Sequence, residues 1–375
     1  MPPKFNDRLS PYLSKGNSYM KIRKAVIWLI CAASLLCMLS ACDTSDKGET
    51  IKEPETQARS FYEYFDTVCV VMSYKGDSAE EFDKNCSDIE TLLDDYHKLF
   101  DIYYEYSGIN NLKTVNKNAG IAPVKVDERL IDFLLYAKDI YALTDGKTNV
   151  AMGSVLKLWH KEREKGINDP ENAKLPDENA LSEAAKHTDI SCLIIDEKEN
   201  TVYLSDPDMS LDVGALGKGY ATEKAAKLLI DRGVTSYVLN FGGNIRAIGT
   251  KVTGEGWITG ITNPDKESEK SFVCRVNIKN VSLVTSGDYE RYYIVDGKKY
   301  HHIIDPETNM PAKYFSSISV FTSDSGLADA LSTALFCMSY EDGIKLIEKI
   351  GGVDAVWVTL SGEVKFTDGV EFLNN

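Results

Sequence analysis

A chain of 375 residues with 43% hydrophobic residues can bury a sizeable core in one large or two ordinary domains. A formal net charge of −15 argues against nucleic acid as a partner. The first 42 residues carry six Lys or Arg against Asp7 alone, so the acidity belongs to the remainder, as an acidic, soluble surface.

The N-terminus reads as a targeting segment outside the fold. Lys21, Arg23 and Lys24 precede an apolar run, Ala25 to Met38, and Leu39-Ser40-Ala41-Cys42 follows with small residues before a cysteine. That tetrapeptide resembles a bacterial lipobox, so a signal peptide over 1–41 and lipidation of Cys42 are expected, with Met20 a better start than Met1. The alternative is an uncleaved anchor. Either way the bulk of the chain is expected outside the cytoplasmic membrane, on its extracytoplasmic face. Residues 42–58 read as a charged flexible tether and 59–375 as the folded part. Beyond Cys42 there are five cysteines and no C-x-x-C, which suits buried free thiols better than a disulfide framework.

Phe65–Ser73 is expected as a strand, Ser78–Tyr103 as a long amphipathic helix, and Ser107–Gly120 as polar loop. Asp127–Thr144 is a second helix, capped by Asp127. A short helix reaches Trp159-His160, followed by a charged surface loop, Glu162–Asn179. Ile190–Leu204 reads as a hairpin turning at Lys198-Glu199-Asn200. An apolar strand then ends in Asp212, followed by a loop with Gly214, Gly217 and Gly219. A helix from about Tyr220 to Arg232 stops at Gly233 and leads to a strand, Ser236–Asn240. Further strands are expected at Trp257–Thr262, Phe272–Ile278, Val281–Thr285, Tyr292–Val295, Tyr300–Ile304 and Ser317–Thr322, with an Asp296-Gly297 hairpin turn. Helices at Gly326–Met338 and Glu341–Ile350 precede a closing hairpin, Ala355–Leu360 with Glu363–Phe366. Strands and helices interleave without a steady βαβ rhythm. The expected class is therefore α+β, with mixed, mostly antiparallel sheets packed with helices.

Three stretches carry chemistry. Asp212 precedes a glycine turn whose helix start offers unpaired N–H groups to an anion; the order G-x-x-G-x-G is not a dinucleotide fingerprint, and no G-K-[ST] follows. Thr285 to Arg291 and His301-His302-Ile303-Ile304-Asp305 end two strands in hydroxyls, carboxylates and imidazoles. His302 near Asp288 or Asp305 would make a base held by a carboxylate. Asp329 and Thr333, four apart, share one helix face and suit a hard cation such as Mg²⁺. They suit equally a capping Asp and a Thr bonded to its own helix.

The blocks LDVGALGKGYATEKAA, NFGGNIRAIG, TSGDYERYY, HHIIDPETNMP and LADALSTALF, in this order, resemble the ApbE family of FAD:protein FMN transferases. The likeness runs from about Phe65 to Phe366. It implies a single α+β domain, exported as a lipoprotein, that uses FAD as substrate. FMN passes to a Thr hydroxyl of an acceptor protein as a phosphoester, and AMP leaves. It implies Mg²⁺ held by the Ala215 carbonyl, Asp329 and Thr333, with Ser332 nearby. FAD contacts carry over to Phe65, Tyr103, Lys147, Thr148, Asn149, Asp212, Lys218 and Ile304, and His302, with Asp288, to the catalytic step. The implied acceptors are subunits of Rnf- or Nqr-type redox pumps or extracellular flavoproteins. Asn149 and Asn244 depart from a common Asp, and Lys218 from the Glu of some relatives. The rival readings are Mg²⁺-dependent FAD hydrolysis and a non-catalytic FAD-binding lipoprotein.

Overall fold

The computed structural model describes residues 56–373. The expected signal peptide over 1–41, the start at Met20, Cys42 and most of the 42–58 tether lie outside the described residues.

Strands β1 (Gln57–Phe61) and β2 (Cys69–Ser73) form an antiparallel pair. The second starts later than expected because Phe65 and Asp66 both take φ 53°, a left-handed turn that breaks the extended run. Helix α1 (Ala79–Phe100) begins at a capping box of Ser78 and Glu81. The stretch 107–120 is not all loop: α2 (Leu112–Lys117) forms there because Asn111 and Thr114 cap each other reciprocally. Next come β3 (Val124–Lys125) and α3 (Glu128–Leu143), capped by Asp127. Helix α4 (Gly153–Asn168) runs past His160 into the residues expected as surface loop. Its side chains there are charged, but Gly166 gives the helix a contact face, since a Cβ on it would stand 2.6 Å from the Tyr293 ring. After α5 (Glu178–Ala184), β4 (Leu193–Asp196) and β5 (Thr201–Leu204) form the expected hairpin.

No strand ends at Asp212. The segment is extended, but its backbone is satisfied from elsewhere. Asn116 exchanges two hydrogen bonds with Leu211 at 2.7 and 2.9 Å, and the Asp212 N–H donates to the Val150 carbonyl at 2.9 Å. Helix α6 (Gly217–Asp231) begins earlier than expected, so Gly217 and Gly219 lie in its first turn. Strands β6 (Ser236–Phe241) and β7 (Asn244–Gly249) follow, joined by Gly242 and Gly243 at φ 61° and 92°. Strand β7 was not expected, because Asn244 and Arg246 interrupt its apolar pattern; both are buried.

The rest is β8 (Trp257–Thr262), β9 (Phe272–Ile278), β10 (Ser282–Gly287), β11 (Tyr292–Val295), β12 (Lys298–His301), β13 (Ile304–Asp305), β14 (Met310–Pro311) and β15 (Phe315–Thr322). Helices α7 (Ser325–Phe336) and α8 (Tyr340–Ile350) precede β16 (Asp354–Thr359) and β17 (Val364–Phe366). The strand expected over Tyr300–Ile304 is split. His301 still pairs with Tyr292, whereas Ile304 pairs with Pro311, so His302 sits at a bend between two ladders.

One antiparallel eight-stranded sheet, in the order β1-β2-β6-β7-β10-β15-β16-β17, organises the domain. Side chains alternate across it. Val71, Leu239 and Phe241 point into a core with α1, α3 and α6, while Val70, Met72 and Val238 pack under the β8–β9 hairpin. Helices α7 and α8 cover the far end over Ile318, Val320 and Trp357. Each such side chain stabilises the fold by ~1.5–3 kcal/mol on burial. The described chain is one α+β domain, and its cysteines are free thiols, three of them buried.

Candidate active site

The first corner of the site is made where α6 meets α7. Helix α6 begins at Leu216, which offers no side-chain cap. Its orphan Gly219 N–H is accepted instead by Asp329 Oδ2 of α7, at 2.7 Å. Asp329 is not the cap of its own helix; Asp324 is, accepting from the Leu327 N–H. The approach requires glycine: a Cβ at Gly219 would lie 2.3 Å from Asp329 Cβ and 2.5 Å from the Ser325 carbonyl oxygen. Burial pushes the Asp329 pKa up, and the Lys218 ammonium, the Gly219 N–H and the Asn244 amide act the other way. Lys218 Nζ donates to Asn244 Oδ1 at 2.6 Å, so the residues after the two glycine turns meet.

Thr333 is half-buried one turn after Asp329, and its hydroxyl is not bonded back to the helix among the described residues. No backbone N–H bonds the Ala215 carbonyl among the described residues, since Gly219 spends its N–H on Asp329. Ser332 faces the sheet, with Oγ donating to the Asp329 carbonyl at 2.9 Å and lying 2.8 Å from Ser286 Oγ. The groups that these bonds leave open, the Thr333 hydroxyl and the Ala215 carbonyl, are oxygens like the Asp329 carboxylate. That set fits a hard ion such as Mg²⁺, with Ser332 bracing the helix from behind.

The second corner surrounds Asp212. It is buried, accepts from the Gly214 N–H at 2.9 Å, and lies 3.9 Å from His160 Nδ1. His160 Nδ1 also sits 3.4 Å from the Tyr103 hydroxyl, while Tyr103 itself is 61% exposed. Phe65 is half-buried against the core, its ring edge-on to His97 and its N–H on His97 Nδ1 at 3.3 Å. Burial lowers the His160 pKa, Asp212 raises it, and Arg163 and Arg291 lower it.

His302 is placed differently from the expected carboxylate-held base. Asp288 Oδ2 pairs with Lys299 at 2.7 Å, and Asp305 pairs with Lys147 at 3.2 Å. The charged groups around His302 are guanidiniums instead. Burial, then Arg291 and Arg163, push its pKa down to about 3, and its Nδ1 is buried without a hydrogen-bond partner. The β12–β13 break causes this: the side chain leaves the ladder where the chain bends toward α4. His302 is therefore neutral at physiological pH, with a free ring nitrogen.

Lys147 and Asn149 line a cavity of ≈ 350 Å³ with Asp145, Lys186 and Glu307. Thr148 is buried, with its hydroxyl on the Ala330 carbonyl of α7 at 2.9 Å, so this loop and Asp329 are carried by one helix. The Asn149 amide is taken up by the Thr188 carbonyl at 2.9 Å and the Ala151 N–H at 2.8 Å. Ile304 is a buried packing residue beside Trp159. The residues that sequence reasoning missed are His160 and Arg163; Arg291 closed a stretch read for its hydroxyls and carboxylates, not for its guanidinium. The i, i+3 spacing of His160 and Arg163 was a signal, had α4 been recognised as continuing.

The model of the ApbE family matches residues 65–357. The FAD:protein FMN transferase of Treponema pallidum is 33% identical over 318 residues, covering 81% of this chain and 85% of that protein. That of Klebsiella pneumoniae is 31% identical over 251 residues, 67% of this chain and 75% of that protein. The crystal structure of the ApbE protein from Thermotoga maritima superposes with a TM-score of 0.72 at 27% identity, covering 84% of this chain and 97% of that one.

Proposed function

The chain belongs to the ApbE family, and from that premise we propose that it is an FAD:protein FMN transferase. It moves FMN from FAD to a threonine hydroxyl of an acceptor protein, with Mg²⁺, and releases AMP. The observation that carries the reading is the Gly219–Asp329 bond, which holds a buried carboxylate at an uncapped helix N-terminus.

In the reaction the acceptor oxygen forms a bond to the FMN phosphorus, the bond from that phosphorus to the AMP oxygen breaks, and the threonine proton leaves. A bound Mg²⁺ would neutralise pyrophosphate charge there. The neutral His302 ring, with a free nitrogen, takes the threonine proton. The substrate phosphates raise its basicity by offsetting Arg291 and Arg163, which in turn hold the anion. Tyr103 and Phe65 offer aromatic faces to the flavin. Lys218, on Asn244, places a cation beside the same corner.

We place the enzyme outside the cytoplasmic membrane on a lipid anchor at Cys42, acting on redox-pump subunits or extracellular flavoproteins. The test mixes the chain with FAD, Mg²⁺ and a candidate acceptor, then looks for a fluorescent acceptor band on a denaturing gel and for AMP. A band that disappears with EDTA is expected. AMP with free FMN and no band, across several acceptors, would replace transfer with hydrolysis.

A further inference from the structure

Helices α6 and α7 cap each other. The Gly219 N–H of the first turn of α6 donates to Asp329, one turn into α7. The Ser325 N–H of the first turn of α7 donates at 2.9 Å to Oε2 of Glu223, one turn beyond Gly219 in α6. Gly219 faces Asp329 and Glu223 faces Ser325, so the two helix starts lie antiparallel and each takes its missing acceptor from its partner. Glu223 is held in turn: Arg246 Nε lies 3.3 Å from the same Oε2, and Arg246 also donates to the Ala247 carbonyl at 2.7 Å. Both side chains are nearly inaccessible, 8% and 5% exposed. Strand β7 thus feeds both bonds, because Asn244 and Arg246, two apart on one face, reach Lys218 and Glu223.

We propose that Glu223, braced by Arg246, is a positioning residue for the Asp329 carboxylate. Asp329 sits one turn beyond Ser325, so whatever fixes the first turn of α7 fixes where Asp329 points. The contact leaves the Asp329 side chain little room of its own, so a shift of the α7 start carries its carboxylate along, and a hard cation tolerates little misplacement. Removing an orienting group behind a metal ligand characteristically costs ~10–100-fold in metal affinity. This inference rests on the magnesium reading of the same corner.

The test compares the full chain with two double variants and one single. Glu223→Leu with Arg246→Leu removes the cap and leaves no buried charge unpaired. Glu223→Gln with Arg246→Leu removes the same charges but keeps an oxygen for the Ser325 N–H. Ser325→Pro deletes the donor at a first-turn position where proline is tolerated, after the extended Asp324, and its ring carbon, standing where the hydrogen was, pushes the Glu223 carboxylate away. The probe is Mn²⁺, a hard divalent ion whose free-ion EPR signal falls on binding. The Leu pair and Ser325→Pro should bind Mn²⁺ about tenfold more weakly, while the Gln variant stays close to the unsubstituted chain. FAD affinity in EDTA should hold in all of them. If the Leu pair fails to fold, the Pro and Gln variants decide alone. Equal Mn²⁺ binding by the unsubstituted chain and the capless variants overturns the positioning role. No Mn²⁺ binding by the unsubstituted chain overturns the magnesium reading and this inference with it.

Discussion

Gly219→Ala separates stability from rate at the helix contact. The new Cβ would stand 2.3 Å from Asp329 Cβ and 2.5 Å from the Ser325 carbonyl oxygen, neither of which is a flexible chain end. Ordinary carbon contacts are ~3.5–4.0 Å, so the helices must part by roughly 1 Å or more. Overpacking of this kind costs ~1–3 kcal/mol, and the helical gain of Ala over Gly returns ~1 kcal/mol. The expected net loss is therefore about 0–2 kcal/mol, a melting-point change of a few degrees. The parting moves Asp329 by about the same 1 Å, and displacements of that size cost on the order of 10²-fold in rate. Gly217→Ala is the control. It sits two residues earlier in the same turn, and its Cβ would be tight only against the Phe100 ring, at 3.0 Å, a contact relieved by a few tenths of an ångström, with Val213 Cγ2 at an ordinary 3.6 Å. AMP release and acceptor fluorescence are measured for both beside a thermal melt. Equal rates in the two alanine variants, or a Gly219→Ala enzyme that transfers at the normal rate, would refute the reasoning.

Asp329→Ala should abolish metal-dependent AMP release, and Thr333→Ala should raise the Mg²⁺ concentration needed for half-maximal rate; a Mg²⁺ titration of initial rates checks both. His302→Gln should lose acceptor labelling by ~10²–10⁴-fold while FAD still binds, as read by flavin fluorescence. The same variant should flatten the pH dependence of stability. The folded pKa of His302 is pushed down to about 3, below its ordinary value, so the native state binds fewer protons than the unfolded chain between those limits. Its contribution is fully present above pH ~6.5 and is lost as pH falls toward about 3; denaturant midpoints measured across that window check it. Arg163→Gln should weaken FAD binding and leave riboflavin binding unchanged, because the guanidinium would meet phosphate and not the ring; parallel fluorescence titrations of the two flavins decide it.

Much of this chain was set locally. Apolar periodicity marks α1, α3, α6 and α8. The Asp127 cap, the Asp296-Gly297 turn and the alternation of the last hairpin are decided by near neighbours, and so is the i, i+4 placement of Asp329 and Thr333 on one helix face. What tertiary structure alone decided is where polar groups find partners far along the chain. Strand β7 carries a buried Asn and Arg that look like loop until α6 supplies Lys218 and Glu223. Helix α4 looks like surface until Tyr293 lies over Gly166. His302 pairs with neither Asp288 nor Asp305, since both are claimed by lysines whose positions depend on β12 and the Lys147 loop. Helix α6 was expected from about Tyr220; that it starts at Gly217 with no side-chain cap, and that its acceptor is Asp329, only the packing decides. That bond joins residues 110 apart in sequence, and only the packing of two helices on one sheet brings them to 2.7 Å.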